Sequence, residues 1–154
     1  MAAGRDFRVN PAPPESAALL ARLHAVCFAP LPETPWSEAA FRTILHSPAT
    51  LTLIAHAEDD VIAGLLSGRA VDGEAEILTL CVAPAMRRSG VASALLGTFQ
   101  DRAPTHVRTV LEVAVDNMAA RTLYETFGFA LVGRRPGYYA GKDGKIDAMI
   151  YVRE

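Results

Sequence analysis

The sequence predicts an α/β protein of the α+β kind: a mixed, mostly antiparallel sheet with helices on both faces. Three observations carry that expectation. Residues 51–82 hold three apolar runs separated by Asp59-Asp60 and Asp72-Gly73, which read as an antiparallel meander. Asp-Gly suits a tight hairpin because Gly accepts positive φ. Residues 88–134 then alternate helix, strand, helix and strand, which allows locally parallel pairing. Two helical patterns precede the meander, so the expected order is βααβββαβαββ.

The elements follow in chain order. Residues 7–9 form a short first strand. Residues 16–28 place Leu19, Leu20, Leu23 and Cys27 at helical spacing. A second helix starts near Ser37, which can cap it, while Trp36 can staple onto Phe41. The buried face of that helix is Phe41, Ile44 and Leu45. Residues 51–57, 61–71 and 75–82 are the meander strands, and Pro84 ends it. Residues 88–102 read as helix, with Val91, Leu95 and Phe99 on one face. Residues 109–115 are a short apolar strand. Asp116 or Asn117 can cap a helix whose face is Ala120, Leu123, Tyr124 and Phe127. Gly128 fits its left-handed stop, with Phe129 folding back on the last turn. Strands at 130–134 and 145–152 flank a loop with Pro136, Tyr138 and the turn Asp143-Gly144.

Composition narrows the function classes. The 154 residues suit one domain spanning 1–154, with 51% apolar and 21% charged side chains. A chain of that size hides about 70% of its unfolded surface. The 15 basic and 17 acidic side chains nearly balance, which argues against a nucleic-acid partner. Cys27 and Cys81 lie far apart with no metal-ligand spacing around them, so no metal is expected. Two lone cysteines fit a reducing compartment and a packing role. The opening Met1-Ala-Ala-Gly-Arg-Asp6 lacks an apolar leader, and no apolar run approaches the roughly 20 residues of a membrane span. A cytoplasmic protein with no membrane partner is the expectation.

Two segments carry chemistry. In Leu78-Thr-Leu-Cys-Val-Ala-Pro-Ala-Met-Arg-Arg-Ser-Gly-Val-Ala92 a strand runs through a short loop into a helix. The first turn of that helix offers free N–H groups and the positive end of the dipole. Gly90 lets a ligand approach the main chain, and Arg87 and Arg88 add positive charge. Such a site suits a pyrophosphate; a surface loop with solvated arginines is the plainer alternative. It is neither a Walker loop nor a Rossmann fingerprint. In the second segment, residues 111–129, Glu112 is the odd residue in an apolar strand. Alternation places it opposite Leu111 and Val113, as an exposed carboxylate or as a base. Tyr124 reads as a core aromatic on helical spacing.

Arg87-Arg-Ser-Gly-Val-Ala92 resembles the Q/R-x-x-G-x-G/A loop of the GNAT superfamily N-acetyltransferases, with Ala92 in the last place. Leu111-Glu-Val, Asn117, Ala120, Leu123-Tyr124 and Gly128-Phe129 resemble the signature of its RimI-type members. Pro35-Trp-Ser37 with Phe41, Gly133-Arg-Arg-Pro-Gly-Tyr-Tyr139 and Asp147-Ala-Met149 extend the match from about residue 28 to the end. The resemblance implies the GNAT acyl-CoA N-acyltransferase fold and direct transfer of acetyl from acetyl-CoA to an amine. The acceptor it implies is the N-terminal α-amine of a protein such as a ribosomal small-subunit protein.

The resemblance also implies roles. Glu112 becomes the general base and Tyr124 the donor of a proton to the departing thiolate. Arg87, Arg88, Ser89, Gly90, Val91 and Ala92 hold the cofactor's phosphates. Leu80, Cys81 and Val82 meet its pantetheine arm, as does Asn117 beyond its capping role. Cys81 is otherwise a small buried hydrophobe, or a nucleophile forming an acyl-enzyme. Trp36 and Tyr138 are candidate walls for a peptide N-terminus, or simply packing aromatics. No role is assigned to His24, His46, His56 or His106. A GNAT enzyme of small amines or lysine side chains, a non-catalytic acyl-CoA-binding module and a nucleotide-binding regulatory domain are the alternatives.

Overall fold

The computed structural model describes residues 7–31, 33–103, 108–141 and 144–154. The opening hexapeptide, His106 and Asp143 of the expected last turn lie outside them. The described elements are β1 (Arg8–Pro11), α1 (Ala17–Phe28), α2 (Glu38–Leu45), β2 (Thr50–His56), β3 (Ile62–Val71), β4 (Glu74–Val82), α3 (Val91–Arg102), β5 (Arg108–Ala114), α4 (Met118–Thr126), β6 (Ala130–Gly141) and β7 (Gly144–Arg153). Their order is the one expected. They build one seven-stranded sheet in the order β1-β2-β3-β4-β5-β7-β6. The pair β4/β5 is parallel and the other pairs are antiparallel.

Period-two alternation explains how both faces are covered. Leu53 and Leu66 pack with Val91, Leu95 and Phe99 of α3, and Tyr124 of α4 joins that cluster. Their strand neighbours Ile54 and Leu65 pack instead with Leu20, Phe28 and Phe41 of α1 and α2. In α1 the buried stripe is Ala17, Leu20, His24, Cys27 and Phe28. Leu19, expected inside, is 41% exposed. The stripe is rotated by one position, and His24 takes the place expected for an apolar side chain.

The caps form as read. Ser37 Oγ accepts from Ala40 N at 3.1 Å, and the Trp36 and Phe41 rings lie 5.4 Å apart. Asn117 rather than Asp116 caps α4, its Oδ1 accepting from Ala120 N at 3.2 Å. At the other end Phe129 N donates to Tyr124 O at 3.0 Å, closing the helix beyond Gly128.

Three boundaries differ from expectation. First, β1 ends at Pro11 rather than at residue 9, because residues 8–11 pair with Leu53–His56 of β2. Second, α3 begins at Val91, not at residue 88: Arg88 and Gly90 both have positive φ, which no α-helix tolerates. Third, the expected loop after residue 134 is strand. β6 continues to Gly141 with a break in register between Arg135 and Tyr139. Pro136 falls inside that bulge, on the edge strand of the sheet, where a missing N–H breaks no ladder bond.

Candidate active site

The parallel pair β4/β5 is paired over only part of its length. Partner residues run from Glu74/Arg108 to Ile77/Leu111 and stop there, although β4 continues to Val82 and β5 to Ala114. A bulge at Leu78 accompanies the split: Ile77 opposes Gly68 of β3, while Thr79 already opposes Ser67. That extra residue twists β4 away from β5. The edge of β4 that faces β5 is therefore free of strand partners after Ile77 among the described residues.

A cleft of about 550 Å3 fills the split. Leu80, Cys81 and Val82 line one side, and Glu112, Asn117 and Tyr124 line the other. Its end is the loop into α3, with Arg87, Arg88, Gly90, Val91 and Ala92. Gly90 caps α3 at φ +88°, and a Cβ built there meets nothing within 4 Å. Gly90 opens the first turn of α3, whose N–H groups have no partner within the helix, and Arg87 and Arg88 line the same end of the cleft. This arrangement fits a diphosphate, and the free β4 edge fits an extended, amide-bearing arm such as pantetheine. Ser89 does not line the cleft; its hydroxyl donates back to Arg87 O at 3.5 Å.

Glu112 sits on β5 with Leu111 and Val113 buried on the opposite face. Its Oε1 accepts from Arg135 Nη2 at 2.6 Å. Arg135 comes from the β6 bulge, and its guanidinium lies 4.9 Å from the centre of the Tyr138 ring. The bulge is fixed by Asp147, whose carboxylate accepts from Gly137 N at 2.7 Å and from Arg134 Nε at 2.5 Å. Those donors hold the Asp147 carboxyl below the usual carboxylate range. Tyr124 is buried, with Phe129 and Tyr151 around its ring. Burial, then the charge of Glu33, pushes its phenol well above the usual range, so it stays neutral.

Cys81 is buried, and the Cys27 thiol beside it, together with burial, raises its pKa. A buried thiol held neutral is a poor nucleophile, which disfavours the acyl-enzyme route. Cys27 Sγ donates to Val82 O at 3.2 Å.

A second cavity of about 430 Å3 opens beside the first, with Trp36, Arg135 and Tyr138 in its wall. Glu33, Glu112 and Tyr139 line both cavities, so the two meet there. The sequence reading places Trp36 and Tyr138 together, and they share this wall. It missed Glu33, His24 and Arg135. His24 is 1% exposed and links three elements. Its Nδ1 accepts from Trp36 N at 3.0 Å, which fixes the tautomer with Nε2–H donating to Thr79 Oγ1 at 2.9 Å. Its ring stacks on Phe28 at 4.1 Å and on Trp36 at 5.4 Å. Burial lowers its pKa to about 4. A histidine on the buried stripe of α1 was the one signal available for it. Among the described residues no group of three His, Cys, Asp or Glu could hold a metal ion.

Comparison with known proteins identifies the family. The sequence profile described as the Acetyltransferase (GNAT) family matches residues 18–129. An N-alpha-acetyltransferase RimI of Mycobacterium tuberculosis is 37% identical over 110 residues, 70% of this chain and 69% of that one. The [ribosomal protein bS18]-alanine N-acetyltransferase of Escherichia coli K12 is 32% identical over 118 residues, 75% of this chain and 78% of that one. The crystal structure of the ribosomal-protein-S18-alanine N-acetyltransferase from Escherichia coli superposes with a TM-score of 0.85 at 26% identity, covering 96% of this chain and 92% of that one. An uncharacterised Mycobacterium leprae protein is 35% identical over 125 residues, 79% of this chain but only 34% of its own length. The chain belongs to the GNAT family of acetyltransferases. Within that family it belongs with the RimI-type N-acetyltransferases, and it is an enzyme of acetyl transfer.

Proposed function

We propose that this enzyme moves acetyl from acetyl-CoA directly to the N-terminal α-amine of a protein, with a ribosomal small-subunit protein as the leading acceptor. The names of the Mycobacterium tuberculosis and Escherichia coli relatives support that acceptor class. The observation that carries the reading is the junction of two cavities at Glu112. One is an elongated cleft ending at the Gly90 turn, and the other is an open pocket walled by aromatics.

Acetyl-CoA supplies an activated thioester. The chain's residues do the rest. The N–H groups at the start of α3, with Arg87 and Arg88, hold the diphosphate. Leu80, Cys81 and Val82 present main-chain groups to the pantetheine arm. Only a neutral amine attacks a thioester, and an α-amine titrates near 7.7–8.0, far closer to neutrality than a lysine near 10.4. Glu112, directly or through one water, takes the proton as the new N–C bond forms. Arg135 fixes the direction of that carboxylate. As the C–S bond breaks, Tyr124 gives its proton to the sulfur. Trp36 and Tyr138 flank the peptide's first residues.

The free thiols Cys27 and Cys81 support a cytoplasmic setting, and among the described residues no helix is long and apolar enough to cross a membrane. The direct experiment offers a library of peptide N-termini with acetyl-CoA and identifies products by mass. N-terminal acetylation of a subset is expected. Exclusive modification of lysine side chains or small amines would overturn the acceptor assignment.

A further inference from the structure

Three carboxylates and one guanidinium stand in the wall of the acceptor pocket: Glu33, Glu76, Glu112 and Arg135. Two of the carboxylates already have cations. Glu76 Oε2 accepts from Arg69 Nη2 at 2.8 Å and from Arg69 Nε at 3.1 Å. Glu112 is held by Arg135 at 2.6 Å. Glu33, in the loop between α1 and α2, has no hydrogen bond or ion pair among the described residues. It is half-buried and lines both cavities at their junction. Burial, then the charge of Asp116, holds its carboxyl above the usual range. Its charge in turn acts on the phenols of both Tyr124 and Tyr139, so it sits close to the candidate proton donor.

A carboxylate withdrawn from water without a partner is unfavourable in the free protein, and an arriving cation relieves it. The acceptor of an N-acetyltransferase arrives as an ammonium. That ammonium could displace Arg135 from Glu112, but it would break one charge-assisted pair to make another and would lift the guanidinium from the Tyr138 ring. At Glu33 it makes a pair where the described residues offer none.

We propose that Glu33 is the acceptor-binding carboxylate, which receives the incoming ammonium and leaves Glu112, held by Arg135, to take its proton. The assignment rests on the N-terminal acceptor reading above. It divides the work between two carboxylates around one nitrogen: Glu33 sets where the amine sits, and Glu112 takes part only as the N–C bond forms. Glu33→Gln therefore acts on acceptor KM, and Glu112→Gln acts on kcat.

The test uses a short alanine-initiated peptide as acceptor and the full chain as enzyme. E33Q should raise the peptide KM about tenfold to a hundredfold, the usual range for a lost hydrogen bond to a charged group. kcat should change less, and the acetyl-CoA Kd should stay at the wild-type value, which also certifies the fold. Glu33→Asp should recover part of the loss. The same peptide with propionyl in place of alanyl lacks the ammonium, and its inhibition constant should be equal in wild type and E33Q; a loop that merely packed badly would weaken it too. Peptide acetylation with an unchanged KM in E33Q overturns the role of Glu33 alone, as does an equal loss of propionyl-peptide binding. A wild type that leaves the alanine peptide unmodified overturns the N-terminal reading and this assignment together.

Discussion

The two walls of the site are built from different materials. The proposed cofactor wall is largely main chain: the free edge of β4 after Ile77, the turn at Gly90 and the first N–H groups of α3. The proposed acceptor wall is side chains: Trp36 from one loop, Glu112 from β5, Arg135 and Tyr138 from the β6 bulge. Main-chain sites tolerate many side chains but demand particular dihedrals, so they leave compact motifs. Side-chain sites gather residues that are distant in sequence, and a loop change can alter them without touching the fold.

The division is broken or sharpened most strongly at Glu112. Glu112→Gln keeps the side chain's shape and removes the proton acceptor. Turnover should fall about a hundredfold to ten-thousandfold, the range typical of general-base loss. The acetyl-CoA Kd should not move, because the main-chain wall is untouched. Turnover at the wild-type rate across pH would remove the base assignment.

His24 ties the two walls together, since it holds Trp36 on one side and Thr79 of β4 on the other. Its folded pKa of about 4 lies below the ordinary value of 6.5. The unfolded chain therefore binds the proton first. The stabilisation is complete above about 6.5, declines as pH falls, and is gone once pH passes below about 4. The shift corresponds to about 3 kcal/mol. Chemical denaturation at pH 7.5 and 4.5 should show that loss in the wild type and much less of it in His24→Asn. Equal acid sensitivity in both would show that another group controls it.

Gly90 tests the cofactor wall from within. Gly90→Val must hold a β-branched residue at φ +88° and places its side chain in the space left open for the ligand. The acetyl-CoA Kd should rise at least about tenfold, each tenfold being about 1.4 kcal/mol, with acceptor KM little altered. Unchanged affinity would show that the diphosphate binds elsewhere.

How much of this was legible follows the same division. Gly128, Ser37 and Asn117 were readable because each satisfies a local demand, a positive φ or an orphan N–H, within a few residues. Element order was readable from periodicity alone. The bulge at Leu78 was not, because it depends on how β3 and β4 pair. The strand beyond residue 134 was hidden because Pro136 reads as a stop unless the strand is known to be an edge. Glu33 and Arg135 carry no periodic signal; their meaning appears only when a loop, β5 and a bulged edge converge. Glu112 looked odd in its strand, but nothing local said that a guanidinium would hold it.

Asn117 is where the division is finest, since it offers a side chain to the cofactor wall. Its Oδ1 is committed to Ala120 N, which leaves the two N–H donors of its amide at the cleft it lines. Asn117→Ala should cost about 1 kcal/mol of stability, the usual price of an N-cap. That loss alone cannot separate capping from ligand contact. Asn117→Asp can, because Asp caps as well as Asn and suits the positive end of α4. If Asn117 is only a cap, this variant keeps both Tm and the acetyl-CoA Kd. If its amide also donates to the pantetheine arm, Tm is kept while Kd rises about threefold to tenfold, one neutral hydrogen bond's worth, because an ionised carboxylate has no proton to donate. A retained Tm with an unchanged Kd would leave the cofactor wall made of main chain at this point too.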